Sequence, residues 1–219
     1  MTIRRSILST VSLVVLASAC TRAPAPAPDA TPPSPQVQAV AASPSSAAPD
    51  APQARAQAAA KAFSGALRKQ LQGKMADGGP LAAVEFCKVE APNIAEAMQA
   101  EHGVRLGRVA VSGRTRNPSN APGDWQAAVL ADFEGRAKAG EPADALALMQ
   151  SDNLPEGVAL RMARGIKVEP GCLACHGKTV ASPVKAAIAR HYPDDAATGF
   201  DVDDLRGLLW VEVPSAPAP

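Results

Sequence analysis

The chain has 219 residues and a formal net charge of +1, from 22 basic and 21 acidic side chains. A charge so close to zero argues against nucleic acid, or an anionic membrane surface, as the main partner. Aromatic residues make up only 3% of the chain, which is few for a protein with a large conventional core.

Residues 1–19 are typical of a secretory signal segment. Arg4 and Arg5 form a basic start, and the apolar run Ile7–Leu16 that follows is too short for a stable membrane span. The segment ends in Leu-Ala-Ser-Ala before Cys20, which resembles the lipobox of bacterial lipoproteins and implies a lipid on Cys20. The same small residues fit ordinary signal-peptidase cleavage, so two kinds of processing stay open. Both predict a periplasmic protein, and lipidation predicts one anchored to a bacterial membrane.

Residues 20–53 consist mostly of Pro, Ala and Ser. Such a segment cannot bury enough apolar surface to offset the entropy of ordering, so it is predicted to be an extended linker. Residues 214–219 form a similar short tail, which is predicted to be disordered. The folded domain is therefore expected between residues 54 and 213.

The domain is predicted to begin with two helices. Apolar residues recur every four positions from Phe63 to Met75, which indicates an amphipathic helix, and Gly78-Gly79-Pro80 is expected to break it. A second helix carries an apolar stripe that includes Cys87, and Gly103 marks its end. Because Pro92 lacks an amide hydrogen, it is expected to interrupt or kink this second helix.

A strand is predicted over residues 104–111, followed by a polar, turn-rich segment over 114–123. Asp124 is expected to cap the next helix, on which Trp125, Val129 and Phe133 share one face. Gly140-Glu141-Pro142 is expected to end that helix.

The clearest strand signal lies at residues 158–169, where apolar and basic side chains alternate. A short helix over 184–190 and a closing strand over 208–213 are predicted to complete the domain. Helices early in the chain and strands later, without a βαβ repeat, predict an α+β fold with an antiparallel sheet.

The most informative stretch is Cys172-Leu173-Ala174-Cys175-His176, a C-x-x-C-H run. This spacing is the attachment signature of c-type haem, in which two thiols add to the porphyrin vinyl groups and the histidine binds iron. A redox C-x-x-C pair that happens to precede a histidine, or half of a zinc site, would have the same sequence motif. A zinc site needs about four ligands, however, and the chain has no second Cys/His pair. The sequence therefore predicts one covalent haem c.

The domain resembles a family of exported mono-haem c proteins with a PAS-like fold, which also occurs as a sensor module of histidine kinases. The resemblance covers residues 54–213. Its motifs are Glu85-Phe86-Cys87, Arg116-Asn117-Pro118 with Asn120, Pro122 and Trp125, Cys172 to Gly177, Tyr192-Pro193-Asp194 with Ala196, Gly199-Phe200, and Leu205-Arg206-Gly207. This chain departs from the family at Asp203-Asp204, where Gly-Asp is common.

The resemblance implies that the iron has two axial ligands, His176 and Cys87. Cys87 is also the cysteine left over once the haem and lipid cysteines are assigned, in a compartment where a free thiol is at risk of oxidation. Met98 or Met162 is the alternative ligand, although methionine at such spacing is usually core filler. His102 and His191 are interpreted as surface or capping residues.

Arg116 and Arg206 are candidates to pair the haem propionates, because guanidinium binds carboxylates through two parallel hydrogen bonds. A turn-stabilising or surface role for either arginine stays open.

The predicted function is a redox or gas-ligand sensor module that acts through a separate signalling or redox partner protein. With both axial positions filled by the chain, the iron binds a gas only after one ligand leaves. The alternatives are an electron-transfer cytochrome and, less favoured, a peroxidase-type enzyme, which needs an open iron position. No enzyme activity is predicted.

Overall fold

The computed structural model describes residues 51–215. The predicted signal segment, the lipidation site Cys20, the linker up to residue 50 and the tail from residue 216 lie outside these residues. Within 51–215, no helix combines the length and the apolar character that crossing a membrane requires.

Helix α1 runs from Pro52 to His102 and is divided at Gly79, whose backbone has φ 66° and ψ −161°. Glycine adopts a positive φ without steric cost, and Pro80 follows it, so the predicted break is confirmed. The helix ends as predicted at Gly103, which has a left-handed backbone and donates its amide hydrogen to the Gln99 carbonyl.

Of the two outcomes expected at Pro92, an interruption or a kink, the interruption is wrong, because helical backbone continues through this residue. Pro92 lies on the exposed side of α1, and so does Lys88, one turn earlier. Water can therefore bind the Lys88 carbonyl that a proline leaves without a helical hydrogen bond.

Four antiparallel strands form one sheet in the order β1-β4-β3-β2. Their bounds are Arg105–Ala110 for β1, Ala147–Gln150 for β2, Val158–Lys167 for β3 and Leu205–Pro214 for β4. The last strand along the chain thus lies in the middle of the sheet, between β1 and β3. The predicted α+β class with an antiparallel sheet is confirmed.

Three further helices accompany the sheet: α2 at Asp124–Lys138, α3 at Leu173–His176 and α4 at Ser182–His191. The expected cap at Asp124 is wrong. Gly123 is the capping residue, and no side chain bonds the free amides there, because Asp124 is already the first helical residue. In that position its carboxylate still lies at the positive end of the helix dipole.

Two cores lie on opposite faces of the sheet. Both halves of α1 pack on one face, where Phe63 and Phe86 join Leu209 of β4 in a single cluster. On the other face, Phe133 of α2 packs with Leu208. Neighbouring residues of β4 therefore face opposite cores, and the strand is buried on both sides.

The departure from the family at Asp203-Asp204 is accommodated by the backbone. Asp203 adopts a left-handed conformation with φ 71°, which glycine takes readily and aspartate tolerates better than most residues. Asp203 donates its amide hydrogen to the Val168 carbonyl, and Val168 donates to the Asp204 carbonyl, both at 2.9 Å. The turn that leads into β4 is thus formed.

Candidate functional site

The C-x-x-C-H segment forms a short helical stretch directly after β3. Pro170–Cys172 make a single 3-10 turn, and α3 continues it to His176. Because residues three and four apart share a helix side, Cys172 lies close to both Cys175 and His176. The thiols of Cys172 and Cys175 are free.

The His176 ring is held by a loop that follows α4. Its Nδ1 lies 2.6 Å from the Ala197 carbonyl oxygen, and the ring meets Phe200 edge-on at 6.5 Å between centroids. The Phe200 amide also donates to the His176 carbonyl at 3.0 Å. Since a carbonyl only accepts, Nδ1 must carry the hydrogen, and Nε2 keeps its lone pair.

Burial, followed by the positive charges of Arg206 and Arg116, lowers the pKa of His176 to about 3. The imidazole is therefore neutral at physiological pH. A neutral imidazole whose second nitrogen donates to a carbonyl is the usual form of a metal-binding histidine.

Arg116 joins α3 to the loop that holds His176. Its Nε donates to Asp195 Oδ1 at 2.8 Å, and its Nη2 donates to the Cys175 carbonyl at 2.7 Å. The side chains of Arg116 and Asp195 are each only 11% exposed. Burial alone would raise the pKa of Asp195, but hydrogen bonds from Arg116 and from the Ala197 amide hold it below its usual range. These contacts match the turn-stabilising role that the sequence left open, while a propionate role for Arg116 stays a prediction.

Cys87 lies on α1, half-buried against the core that α1 forms with the sheet. Burial raises the pKa of its thiol, and the charges of Arg108, Arg116 and Arg206 oppose that rise. The pKa of the Cys175 thiol is raised mainly by burial, and the charge of Cys87 adds to that rise. Cys175 also packs against a small cluster that includes Val84, one turn before Cys87. The fold thus brings Cys87 to the C-x-x-C-H segment, 85 positions later in the chain.

The two methionines considered as alternatives pack in the core between α1 and the sheet. Met162 is 2% exposed and Met98 is partly buried, and both belong to that apolar cluster. His191 lies 2.9 Å from a Glu85 carboxylate oxygen, which agrees with a surface role. His102 lies at the end of α1 with a buried Nε2 that has no hydrogen-bond partner.

Arg206 is part-buried, with its guanidinium carbon 5.1 Å from the Phe200 ring centroid. Burial, then the charges of Arg116 and Arg108, lower its pKa to about 10. Arg114 lies over the same ring, with its guanidinium carbon 4.5 Å from the Phe200 centroid. The site is therefore strongly cationic on the His176 side.

Arg108 is a site residue that sequence reasoning missed. It lies on β1 with its guanidinium carbon 5.9 Å from the Phe63 ring centroid, and burial lowers its pKa. The charges of Cys87 and Tyr192 raise that pKa in part. The sequence held one signal for it: strand alternation places Arg108 on the same side as Leu106, a core residue, which is unusual for a charged side chain.

Within residues 51–215, no three His, Cys, Asp or Glu side chains stand together as a metal-binding group. The arrangement instead offers one neutral imidazole and one thiol on different elements, and the Cys172 and Cys175 thiols lie on the same short helical stretch as the imidazole.

Comparisons with known proteins identify the family. The family model described as Tll0287-like matches residues 41–214. A solved structure titled as the cyanobacterial heme-protein Tll0287 is 32% identical and covers 59% of this chain and 72% of that chain, with a TM-score of 0.46. No curated protein matches the chain. The match over residues 41–214 spans most of the sequence, and the chain therefore belongs to the Tll0287-like family.

Proposed function

We propose that this chain carries one haem c, bound covalently through Cys172 and Cys175, with His176 as an axial iron ligand. The observation that supports this best is the hydrogen bond from His176 Nδ1 to the Ala197 carbonyl, which leaves a neutral Nε2 beside two free thiols. The relative named a heme-protein in its title supports the same cofactor class.

The residues of the site fit this cofactor chemically. Each thiol can add its sulfur and hydrogen across one vinyl group, which forms a thioether without an oxidant. Phe200 and the Ala197 carbonyl fix the imidazole ring, and Arg116 fixes the α3 backbone. When bound, haem supplies an iron that changes oxidation state and accepts axial ligands.

Cys87 is proposed as the second axial ligand and the chain as a PAS-like redox or gas-ligand sensor. An iron held by both His176 and Cys87 has no open position. A diatomic ligand can then bind only if one of these residues leaves, which favours a switch over an oxygen-activating enzyme. The sensor would act through a separate signalling or redox protein. Electron transfer is the alternative, and rapid reversible electron exchange with a soluble cytochrome would favour it.

The covalent bond is tested by extraction with acidified acetone. We expect the haem to stay with the polypeptide, and intact mass to increase by one haem. Cys172→Ala together with Cys175→Ala should make the haem extractable, whereas Cys87→Ala should leave it attached, because Cys87 forms no thioether. Freely extractable haem in the unaltered protein would disprove the proposal.

The proposal includes export and a lipid anchor on Cys20, supported by the lipobox-like residues before it and the Pro/Ala-rich segment behind it. One acyl chain gives only marginal membrane binding, so stable anchoring implies more than one. We expect Cys20→Ser to release the protein from membranes into the soluble periplasmic fraction. A mature protein whose Cys20 is unmodified, or cleavage at another position, would rule the anchor out.

A further inference from the structure

Several arginines lie at the proposed haem site: Arg114 and Arg206 lie over the Phe200 ring, Arg116 bonds Asp195, and Arg108 lies over Phe63. After burial, the charges of Arg116 and Arg108 both lower the pKa of Arg206, so each of them opposes the charge on that guanidinium. In the part of the chain that the structure describes, Asp195 is the only acidic side chain in an ion pair with Arg108, Arg116 or Arg206, and its partner is Arg116. Among residues 51–215, Arg108 and Arg206 form no ion pair. Among the described residues, these two part-buried guanidinium groups are thus left without an ion-pair partner, as is that of Arg114 over the Phe200 ring.

The same two arginines lie on neighbouring strands, at one end of the β1–β4 pair. Arg108 is opposite Leu209 in the register, and the Arg206 carbonyl accepts a hydrogen bond from the Val111 amide just beyond β1.

The two guanidinium groups also lie on the two sides of the site. Arg206 lies over Phe200, the ring that contacts His176. Arg108 lies over Phe63 of α1 and interacts electrostatically with Cys87, on the same helix. One cation therefore accompanies each of the two candidate axial residues.

We propose that Arg108 and Arg206 form a dicationic clamp that binds the two propionate carboxylates of the porphyrin, while Arg116 positions His176. This inference rests on the proposed haem function. Desolvating an unpaired cation is costly, and two carboxylates supply the missing counter-charges. Guanidinium suits this role because it can donate two parallel hydrogen bonds to one carboxylate. Arg116 already donates from Nε and Nη2 to Asp195 and the Cys175 carbonyl, so its contacts fix the protein backbone instead.

The clamp is tested in the haem-loaded protein with Arg108→Gln and Arg206→Gln. The matched control is Arg190→Gln, since Arg190 is exposed on α4 and forms no ion pair among the described residues. Ferric iron carries one more positive charge than ferrous iron, so a nearby cation disfavours it. We expect each clamp variant to lower the midpoint potential and to shift the propionate bending bands in resonance Raman spectra. The control should leave both unchanged, because solvent screens an exposed charge.

Charge-conserving variants keep the test decisive if a glutamine variant fails to fold. Arg108→Lys and Arg206→Lys should keep most of the potential and still shift the Raman bands, because lysine keeps the charge and loses the paired hydrogen bonds. Unchanged potential and Raman bands in both arginine positions would overturn the clamp.

A free dicarboxylate is the other source of the same chemistry, and succinate serves as its probe. If added succinate shifts the potential of the unaltered protein but not that of the clamp variants, the arginines bind a free anion and the propionate assignment is wrong. Absence of covalent haem from the unaltered protein would instead refute the proposed function, so the two failures are distinguishable.

Discussion

Replacing Cys87 with Ala in the haem-loaded protein is expected to remove the low-spin ferric spectrum and to raise the midpoint potential. Burial raises the pKa of this thiol, so without a metal it would stay protonated. Ferric iron reverses that preference, because a coordinating thiol loses its proton. A Cys87 thiolate bound to iron would donate charge to it and favour the ferric state. Axial ligands set haem potentials over about 0.8 V, so we expect a rise on the order of 100 mV or more.

Absorption and electron paramagnetic resonance spectra, with a redox titration, measure this effect. Carbon monoxide should also bind faster to the reduced Cys87→Ala protein, because no protein ligand has to leave first. Met162→Leu is the matched control, since Met162 is buried in the same core as Cys87. If Cys87→Ala keeps the original spectrum and potential, Cys87 is a core residue that packs like a small hydrophobe, and Met98 or Met162 becomes the candidate ligand.

Replacing Glu212 with Gln is expected to lower the free energy of unfolding by about 3 kcal/mol. Glu212 lies on β4 with its side chain 6% exposed, between Arg105 of β1 and Arg161 of β3. Arg161 donates from Nε to Glu212 Oε2 at 2.8 Å, and Arg105 bonds the other carboxylate oxygen. Glutamine keeps the volume but removes the charge, which leaves the part-buried Arg161 without its partner.

Urea unfolding of the two proteins measures this difference, provided that the dependence on urea stays the same. Arg105→Gln is the control, because the Arg105 side chain is 62% exposed and solvent screens its ion pair. We expect this control to cost at most about 1 kcal/mol. A loss below about 1 kcal/mol for Glu212→Gln would show that the buried carboxylate contributes little to stability.

Local sequence patterns were enough to predict most of the helices and strands. The apolar period from Phe63, the left-handed glycine at 103 and the alternation along β3 each depend on residues a few positions apart. Strand β2 could not be predicted in this way. Its four residues, Ala147–Gln150, carry no β-branched side chain, and they are strand only because they pair with residues 161–164 of β3.

The residues of the candidate site also fall into two groups: those that could be predicted from local sequence and those that depend on contacts across the fold. The C-x-x-C-H residues are neighbours in sequence, so their chemistry was readable directly, and the resemblance supplied Cys87 and Arg206. The contact between Arg116 and Asp195 and the position of Arg108 depend on pairing across the fold. Asp195 is 79 positions from Arg116, and no local pattern connects them.

The position of β4 in the sheet has a consequence for the order in which the protein can fold. Strands β1 and β3 do not pair with each other. Strand β3 pairs with β2 on one side and with residues 205–214 on the other, whereas β1, within residues 51–215, pairs only with residues 205–214. The partner of β1 lies about 100 residues later in the chain. Pairing of β1 with β4 therefore closes a long loop, which slows folding. The chain therefore cannot complete its sheet until residues 205–214 are available for pairing. Before β4 pairs, β1 and β3 each have an unpaired edge that can pair with another chain. Aggregation is therefore most favoured at this stage of folding.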